Sequence, residues 1–367
     1  MRVTAATIEQ VNAPLQVEEL EIDEPRAGEA LVRIVATGVC HTDAIAQEGD
    51  FPYPFPGVLG HEGAGVVEAV GDGVTNVAVG DPVVIGWPWC GECRNCREGQ
   101  PRYCMMIGPL VGRGTRDDGS TALRRPDGTP VHSHFFGQSS FATHSIVDAK
   151  VLVKLPEGFP VETAGPLACG LATGAGAVWN NARPEVGSSI VVYGTGAVGL
   201  AAVMAARNSG ATTIIAVDRH DSRLKLAREL GATDTINVGE ADPVEAVQEI
   251  CGGHADYSLE CTGNVNVLRQ AADSVGLRGR CVIIGGAPAG AEFTLDHMST
   301  LWGKTVAGVL GGEGTSDRLI GALARLHLTG RFPYDKLVAR FKLNEVNDAM
   351  AQSAAGDVLK PILVMDH

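Results

Sequence analysis

The stretch from Ser189 to Gly199 constrains this chain more than any other. Five residues, Ser-Ile-Val-Val-Tyr, have the β-branched, apolar character of a buried strand, and they run directly into Gly194-Thr-Gly196-Ala-Val-Gly199. The apolar segment 199–209 then reads as a helix. Strand, tight glycine turn and helix together open a βαβ unit, and βαβ units build parallel sheets. The pattern continues. Residues 213–217, 235–237, 257–260, 281–284 and 306–310 read as further strands, and 222–230 reads as a helix with Leu224, Leu226, Ala227 and Leu230 on its apolar face. The expected architecture is α/β, with a doubly wound parallel sheet.

The glycine run also carries chemistry. Gly194 permits the turn, Gly196 lets backbone approach a pyrophosphate, and Gly199 lets helix and strand pack closely. Phosphates sit well at a helix N-terminus, here the peptide groups around Ala197 and Val198, because unpaired N–H groups and the helix dipole favour negative charge. Asp218 follows the second strand about twenty residues past the glycines, where a carboxylate accepts from an adenosine ribose 2′-OH and repels a 2′-phosphate. That points to NAD over NADP. Arg219 beside it softens the preference, and Arg223 is placed to reach the ribose or a phosphate. An ordinary glycine-rich turn is the plain alternative.

The first 150 residues differ in kind. They are rich in Val, Gly and Pro, with short strands at 30–36, 65–70 and 80–85. Residues 113–130 are polar, with turn signals, and read as a surface loop or β-ribbon. A chain of 367 residues exceeds what one core usually holds, so a β-rich domain joins the α/β one. The last sixty or so residues are mixed again, with an amphipathic helix near 317–329. A formal charge of −14 argues against a nucleic-acid or anionic-membrane partner. The start of the chain has no basic-then-apolar leader, and no apolar run has the length of a membrane span. These features lead us to expect a cytoplasmic protein, and symmetric self-association as a homodimer or homotetramer is the default.

Four of the nine cysteines, Cys90, Cys93, Cys96 and Cys104, form C-x2-C-x2-C-x7-C. Two-residue spacers present successive thiolates to one ion, and the fourth closes a tetrahedron. Four thiolates leave no open position, so zinc there is structural. An iron–sulfur cluster, a nucleic-acid-binding zinc ribbon and four unrelated buried thiols are the other readings. The spacing does not match ferredoxin runs, and the acidic charge weakens the ribbon. A second group is dispersed: Cys40 in Cys40-His41-Thr42-Asp43, His61 in Gly60-His61-Glu62, and Cys169 in Pro166-Leu-Ala-Cys-Gly170. Singly, each suits an ordinary structural role. Together, Cys40, His61 and Cys169 make a Cys2His set with its fourth position open to water or substrate. Spacing alone leaves that choice open.

Together these residues resemble the zinc-containing medium-chain alcohol dehydrogenases, over essentially the whole chain. The most specific piece is Gly60-His61-Glu62 followed by Gly65, Gly71 and Val74; the cysteine lobe and the glycine run fall in that family's order. The stretch 167–176 and the long segment at about 113–139 look most like bacterial aryl (benzyl) alcohol dehydrogenases and their terpene-alcohol relatives. The resemblance implies a GroES-like catalytic domain over 1–171, a Rossmann domain over 172–307 and a return to the first over 308–367. It implies two zinc ions per chain and NAD as cofactor. Cys40, His61 and Cys169 would hold the catalytic zinc, with Glu62 behind it and Asp43 orienting His61. Thr42 would bond the substrate hydroxyl and start the proton relay. His41 and Lys360 would lie near the cofactor phosphates. The family's full relay has a His three residues after the hydroxyl; this chain has Ile45, so the proton is expected to leave from Thr42 through the nicotinamide ribose.

The implied reaction is reversible oxidation of a primary alcohol to its aldehyde. Phe51, Trp87 and Trp89 fall in segments that either line an apolar substrate slot or belong to core and rim. The rival reading within the family is a thiol-dependent formaldehyde dehydrogenase, which needs basic groups such as those at 113–125. A non-catalytic nucleotide-binding protein would have lost the ligand set, and all of it is present.

Overall fold

The computed structural model describes residues 1–366. The chain divides into two units, one of residues 1–169, 314–329 and the segment from 334 onward, the other of 170–313 and 330–333.

The second unit is a six-stranded parallel sheet. Its spatial order is Asp234–Asn237, Thr213–Asp218, Ser189–Tyr193, Ala255–Glu260, Val275–Ile283, Thr305–Gly308. The order reverses beside Ser189–Tyr193, which leaves a crevice at the carboxyl ends of that strand and of Ala255–Glu260. Val191, Ile215, Val217 and Ile236 are buried against helical Val247, Leu268 and Ala271, which is why these strands read as continuous apolar runs. Helices Pro243–Cys251 and Val265–Asp273 have no counterpart in the sequence reading. Their caps were visible, since Asp242 and Asn264 each accept a hydrogen bond from the first turn.

The first unit carries two β-sheets. One has the order Gly57–Val58, Arg2–Ile8, Gln16–Ile22, Leu123–Arg124, Pro130–Val131. The other runs Leu152–Lys154, Pro82–Ile85, Gly63–Val70, Glu29–Gly38, Lys360–Val364, Val338–Lys342, with His144–Asp148 also paired to Glu29–Gly38. All pairs are antiparallel except the last two strands of the second sheet. Segment 113–130 is the expected ribbon in part. Its strands Leu123–Arg124 and Pro130–Val131 pair antiparallel, but Arg116 is buried, with bonds of 2.7 and 3.1 Å to Glu29 and 3.0 Å to Asp23. Among the described residues no helix is long and apolar enough to cross a membrane.

Candidate active site

Strand Glu29–Gly38 delivers Cys40 to the N-terminus of helix His41–Glu48. Asp43, in the first turn, is fully buried and works as a three-way tie. One carboxylate oxygen accepts from the Cys40 peptide N–H at 2.9 Å; the other accepts from the Gly60 N–H at 3.2 Å and lies 2.9 Å from His61 Nδ1. With the ring proton held on Nδ1, the lone pair is left on Nε2. That atom is buried and has no hydrogen-bond partner. Ligand atoms of Cys40, His61, Glu62 and Cys169 lie within 4.8 Å of one another, Cys169 arriving from the end of the short helix Gly165–Ala168. Two thiols and a bare imidazole nitrogen are the donor set zinc prefers, so these residues fit such an ion.

The charges around this cluster are coupled. The Cys169 thiol hydrogen-bonds Cys40 and, with the His61 and Lys360 charges, holds Cys40 well below the usual thiol range despite burial. Burial opposes charge on His61, but Asp43 and Cys40 outweigh it and hold the imidazole up, so Nε2 attracts a cation, either a proton or the metal ion that would replace it. Glu62 is pushed up to about 7 by burial, against the pull of Lys360. Lys360, the first residue of strand Lys360–Val364, is itself buried. Its Nζ donates to Glu62 at 2.7 Å and to the Val39 carbonyl at 3.0 Å, so its charge is balanced inside this unit. His41 lies exposed at the start of its helix, Thr42 is half-buried with its Oγ1 3.8 Å from Cys40 Sγ, and Ile45 lies one turn on.

Aromatic rings surround His61. Phe136 stacks on it at 4.6 Å, and Phe135 meets it edge-on at 5.7 Å. Phe51 and Trp87 both pack on Phe136, at 5.6 and 5.1 Å. The sequence reading singled out Phe51 and Trp87 and missed Phe135 and Phe136. These come from a segment in which His134, Phe136 and Ser139 have φ of 80°, 49° and 53°. A bulky side chain in the left-handed region costs about 1–3 kcal/mol and persists where its surroundings demand it. Gln138, also missed, is buried and clamps the backbone on either side of Glu62: its Nε2 donates to the His61 carbonyl at 2.9 Å and its Oε1 accepts from Gly63 N–H at 2.9 Å.

Cys90, Cys93, Cys96 and Cys104 also converge, with their sulfurs within 4.8 Å of one another. Peptide N–H groups point at them. Cys93 N–H lies 3.4 Å from Cys90 Sγ, Met105 N–H 3.4 Å from Cys93 Sγ, and Cys90 N–H 3.3 Å from Cys104 Sγ. The Met105 and Cys96 amides draw the Cys93 thiol down to about 6. A closed tetrathiolate set stabilised by backbone donors fits a structural metal.

In the parallel-sheet unit the glycines form the turn between strand Ser189–Tyr193 and helix Ala197–Arg207. Gly194 has φ of 86°, and a Cβ on Gly199 would stand 1.8 Å from the Gly194 carbonyl. Gly196 caps helix Ala197–Arg207, whose first residues include Val198, and nothing lies within 4 Å of where its Cβ would be. Asp218 is more engaged than the sequence reading foresaw. One oxygen accepts from Thr195 N–H and Oγ1 at 2.8 and 2.7 Å, the other from Arg219 and His220 N–H at 2.8 and 3.1 Å. Burial opposes its charge, and these four bonds more than offset that, lowering its pKa. Arg219 Nε turns to His220, at 3.0 Å, and Arg223 is half-buried in helix Asp221–Leu230.

Residues 26–157 match the family described as "Alcohol dehydrogenase GroES-like domain", and 197–327 match "Zinc-binding dehydrogenase". Geraniol dehydrogenase of Castellaniella defragrans is 39% identical over 98% of this chain and 97% of its own length. S-(hydroxymethyl)glutathione dehydrogenase of Paracoccus denitrificans is 35% identical over 99% of this chain and all of its own. Among solved structures, an alcohol dehydrogenase zinc-binding domain protein from Burkholderia ambifaria superimposes with a TM-score of 0.99 at 48% identity, covering both chains completely. Benzyl alcohol dehydrogenase from Acinetobacter calcoaceticus does so with 0.96 at 41%, again over both complete chains. A zinc-binding dehydrogenase from Sinorhizobium meliloti, bound to NADP, gives 0.83 at 27% over 99% of each. With both halves matched and near-complete coverage by relatives, this chain belongs to the zinc-binding medium-chain alcohol dehydrogenase family.

Proposed function

We propose that this chain oxidises a primary alcohol of aromatic or allylic type to its aldehyde, reversibly, passing hydride to NAD. The observation that carries the reading is the bare, buried His61 Nε2, converging with Cys40 and Cys169 inside a ring of Phe51, Trp87, Phe135 and Phe136. When bound, zinc supplies Lewis acidity toward the alcohol oxygen and the nicotinamide supplies the hydride acceptor. Cys40, His61 and Cys169 would hold the ion. Asp43 keeps the His61 proton on Nδ1 and so keeps Nε2 a donor to metal. Glu62, paired with Lys360, balances charge beside the cluster. Thr42 Oγ1 would take up the alcohol's proton in concert with loss of its own hydroxyl proton toward the nicotinamide ribose and water, with no part for Ile45. The buried rings keep water from His61, and half-buried Phe51 would offer apolar surface that suits a benzylic or allylic body. Asp218 selects NAD, and the tetrathiolate lobe holds a second zinc.

Oxidation of an S-hydroxymethyl thiol adduct is the second reading, supported by the Paracoccus denitrificans relative. It asks for free cations toward the substrate. Arg113, Arg116, Arg124 and Arg125 instead form ion pairs with Asp117, Glu29, Asp23 and Glu18 respectively. A panel of benzyl, terpenoid, short aliphatic and secondary alcohols, assayed with NAD and with NADP, tests the proposal. The highest kcat/KM should fall on benzyl or allylic primary alcohols with NAD. Formaldehyde oxidation that appears only with added glutathione, and exceeds those rates, would overturn it in favour of the adduct.

A further inference from the structure

One group of buried polar atoms takes no part in the chemistry above. Arg102, only 2% exposed, lies two residues before the last cysteine of the lobe. Its guanidinium lies 4.8 Å over the Trp87 ring, and none of its Nε, Nη1 and Nη2 atoms has a hydrogen-bond partner. The Trp87 indole Nε1 is likewise buried and unpartnered. A guanidinium keeps its charge at neutral pH. A cation over an aromatic face is stabilised from one side only. Its edge donors ask for an acceptor, and a buried charge without one is costly.

Arg102 and Trp87 both line a cavity of about 420 Å³. Its wall also includes the start of the 13-residue helix Ser316–Leu328, where Thr315, the N-cap, makes no side-chain capping bond. A helix N-terminus favours negative charge. Trp89, Leu152 and Val153 give the cavity an apolar body, and exposed Asn76 and Gly99 stand where it meets solvent. Exposed Asp317 also lines it, which repels a dianion more than a monoanion. Lys150 lines it too, but its ammonium is 2.6 Å from Asp148.

We propose that this cavity binds a small organic carboxylate, its anionic end on Arg102 and the Trp87 indole N–H and its apolar body against Trp89 and Leu152. Buried donors with no acceptor call for an anion, the planar guanidinium fork suits a carboxylate, and the apolar lining disfavours a strongly hydrated phosphate. Because Trp87 packs on Phe136 with its other surroundings, the occupant touches a ring that also borders the His61 cluster.

Benzoate is the probe, titrated into the zinc-loaded enzyme while tryptophan fluorescence is followed, with neutral benzamide as the control. Benzoate should bind saturably and benzamide should not. Arg102→Met should weaken benzoate by about tenfold to hundredfold, the size of a charge-assisted hydrogen bond. It should also melt no lower than the parent, because an unpaired buried charge has been removed. Ser316→Phe, which fills the cavity from the far wall and leaves Arg102 in place, should weaken benzoate as well. Equal affinity in Arg102→Met, equal binding of benzamide, or full displacement of benzoate by saturating benzyl alcohol would each overturn the proposal. A melting temperature several degrees lower in Arg102→Met would make the guanidinium a packing element and do the same.

Discussion

The two cysteine clusters of this chain are built by opposite means. Cys90, Cys93, Cys96 and Cys104 come from fifteen consecutive residues, are mostly half-exposed, and are held by local peptide N–H groups. Cys40, His61 and Cys169 come from three distant segments, lie deep in the first unit, and are held by side chains: Asp43, Gln138 and the Glu62–Lys360 pair. A local loop can fold around an ion that then stays for good. A site that must open to a substrate has to be held rigid by groups other than the ion's own ligands. On the proposed reading the first cluster serves stability, and the second offsets its open position with a buried network.

The largest expected effect tests this division. His61→Ala removes the only nitrogen donor, and turnover should fall by about a thousandfold, the several kcal/mol a Lewis acid contributes. Native mass spectrometry should show one zinc per chain lost and the melting temperature little changed. Activity within tenfold of the parent would place the chemistry elsewhere. Cys96→Ser should do the reverse: one zinc lost, a lower melting temperature, and kcat per remaining zinc within about twofold. If the two variants give the same pattern, the division is wrong.

Thr42→Ala comes next. Its hydroxyl lies 3.8 Å from the Cys40 thiol. Removing a proton-transfer group should lower kcat by about a hundredfold. Binding of NAD, followed by protein fluorescence, should be unchanged, and Thr42→Ser should restore most of the rate. An alanine variant at full speed would mean that the proton has another route. Asp43→Asn, which can no longer balance charge on the Cys40–His61 pair, should lower zinc affinity by about tenfold to hundredfold in a competition assay with a chelator. An unchanged affinity would reduce Asp43 to a helix-start residue.

How much of this could be read from the sequence follows the same division. The tetrathiolate lobe was legible because covalent neighbours must be spatial neighbours. The strand–glycine–helix run was legible for the same reason, and helix Ala197–Arg207 follows it within two residues of the expected start. The dispersed cluster needed a family resemblance, since no periodicity relates Cys40, His61 and Cys169. Phe136 and Gln138 stayed hidden because their roles arise from left-handed backbone conformations, which His-Phe-Phe-Gly-Gln-Ser does not advertise. Lys360 pairs with Glu62, 298 residues away in the chain, a contact that no local pattern announces.

The smallest effects belong to the cofactor end, where Asp218 is engaged before any ribose arrives. A carboxylate offers about four lone-pair sites, and Thr195 N–H, Thr195 Oγ1, Arg219 N–H and His220 N–H use all of them. Three of those donors are peptide groups fixed by the turn; the Thr195 hydroxyl alone can rotate. It therefore both steadies the carboxylate and can yield its place to a ribose hydroxyl. Asp218→Gly should cut the preference for NAD over NADP by about tenfold, ~1.4 kcal/mol. Thr195→Val keeps the shape and the N–H and should weaken NAD by only about two- to tenfold, the worth of one neutral hydrogen bond. Thr195→Ser should restore it. Unaltered NAD affinity in the valine variant would mean that the peptide groups alone orient Asp218, and that this end of the molecule, like the cysteine lobe, is organised by local backbone rather than by a side-chain network.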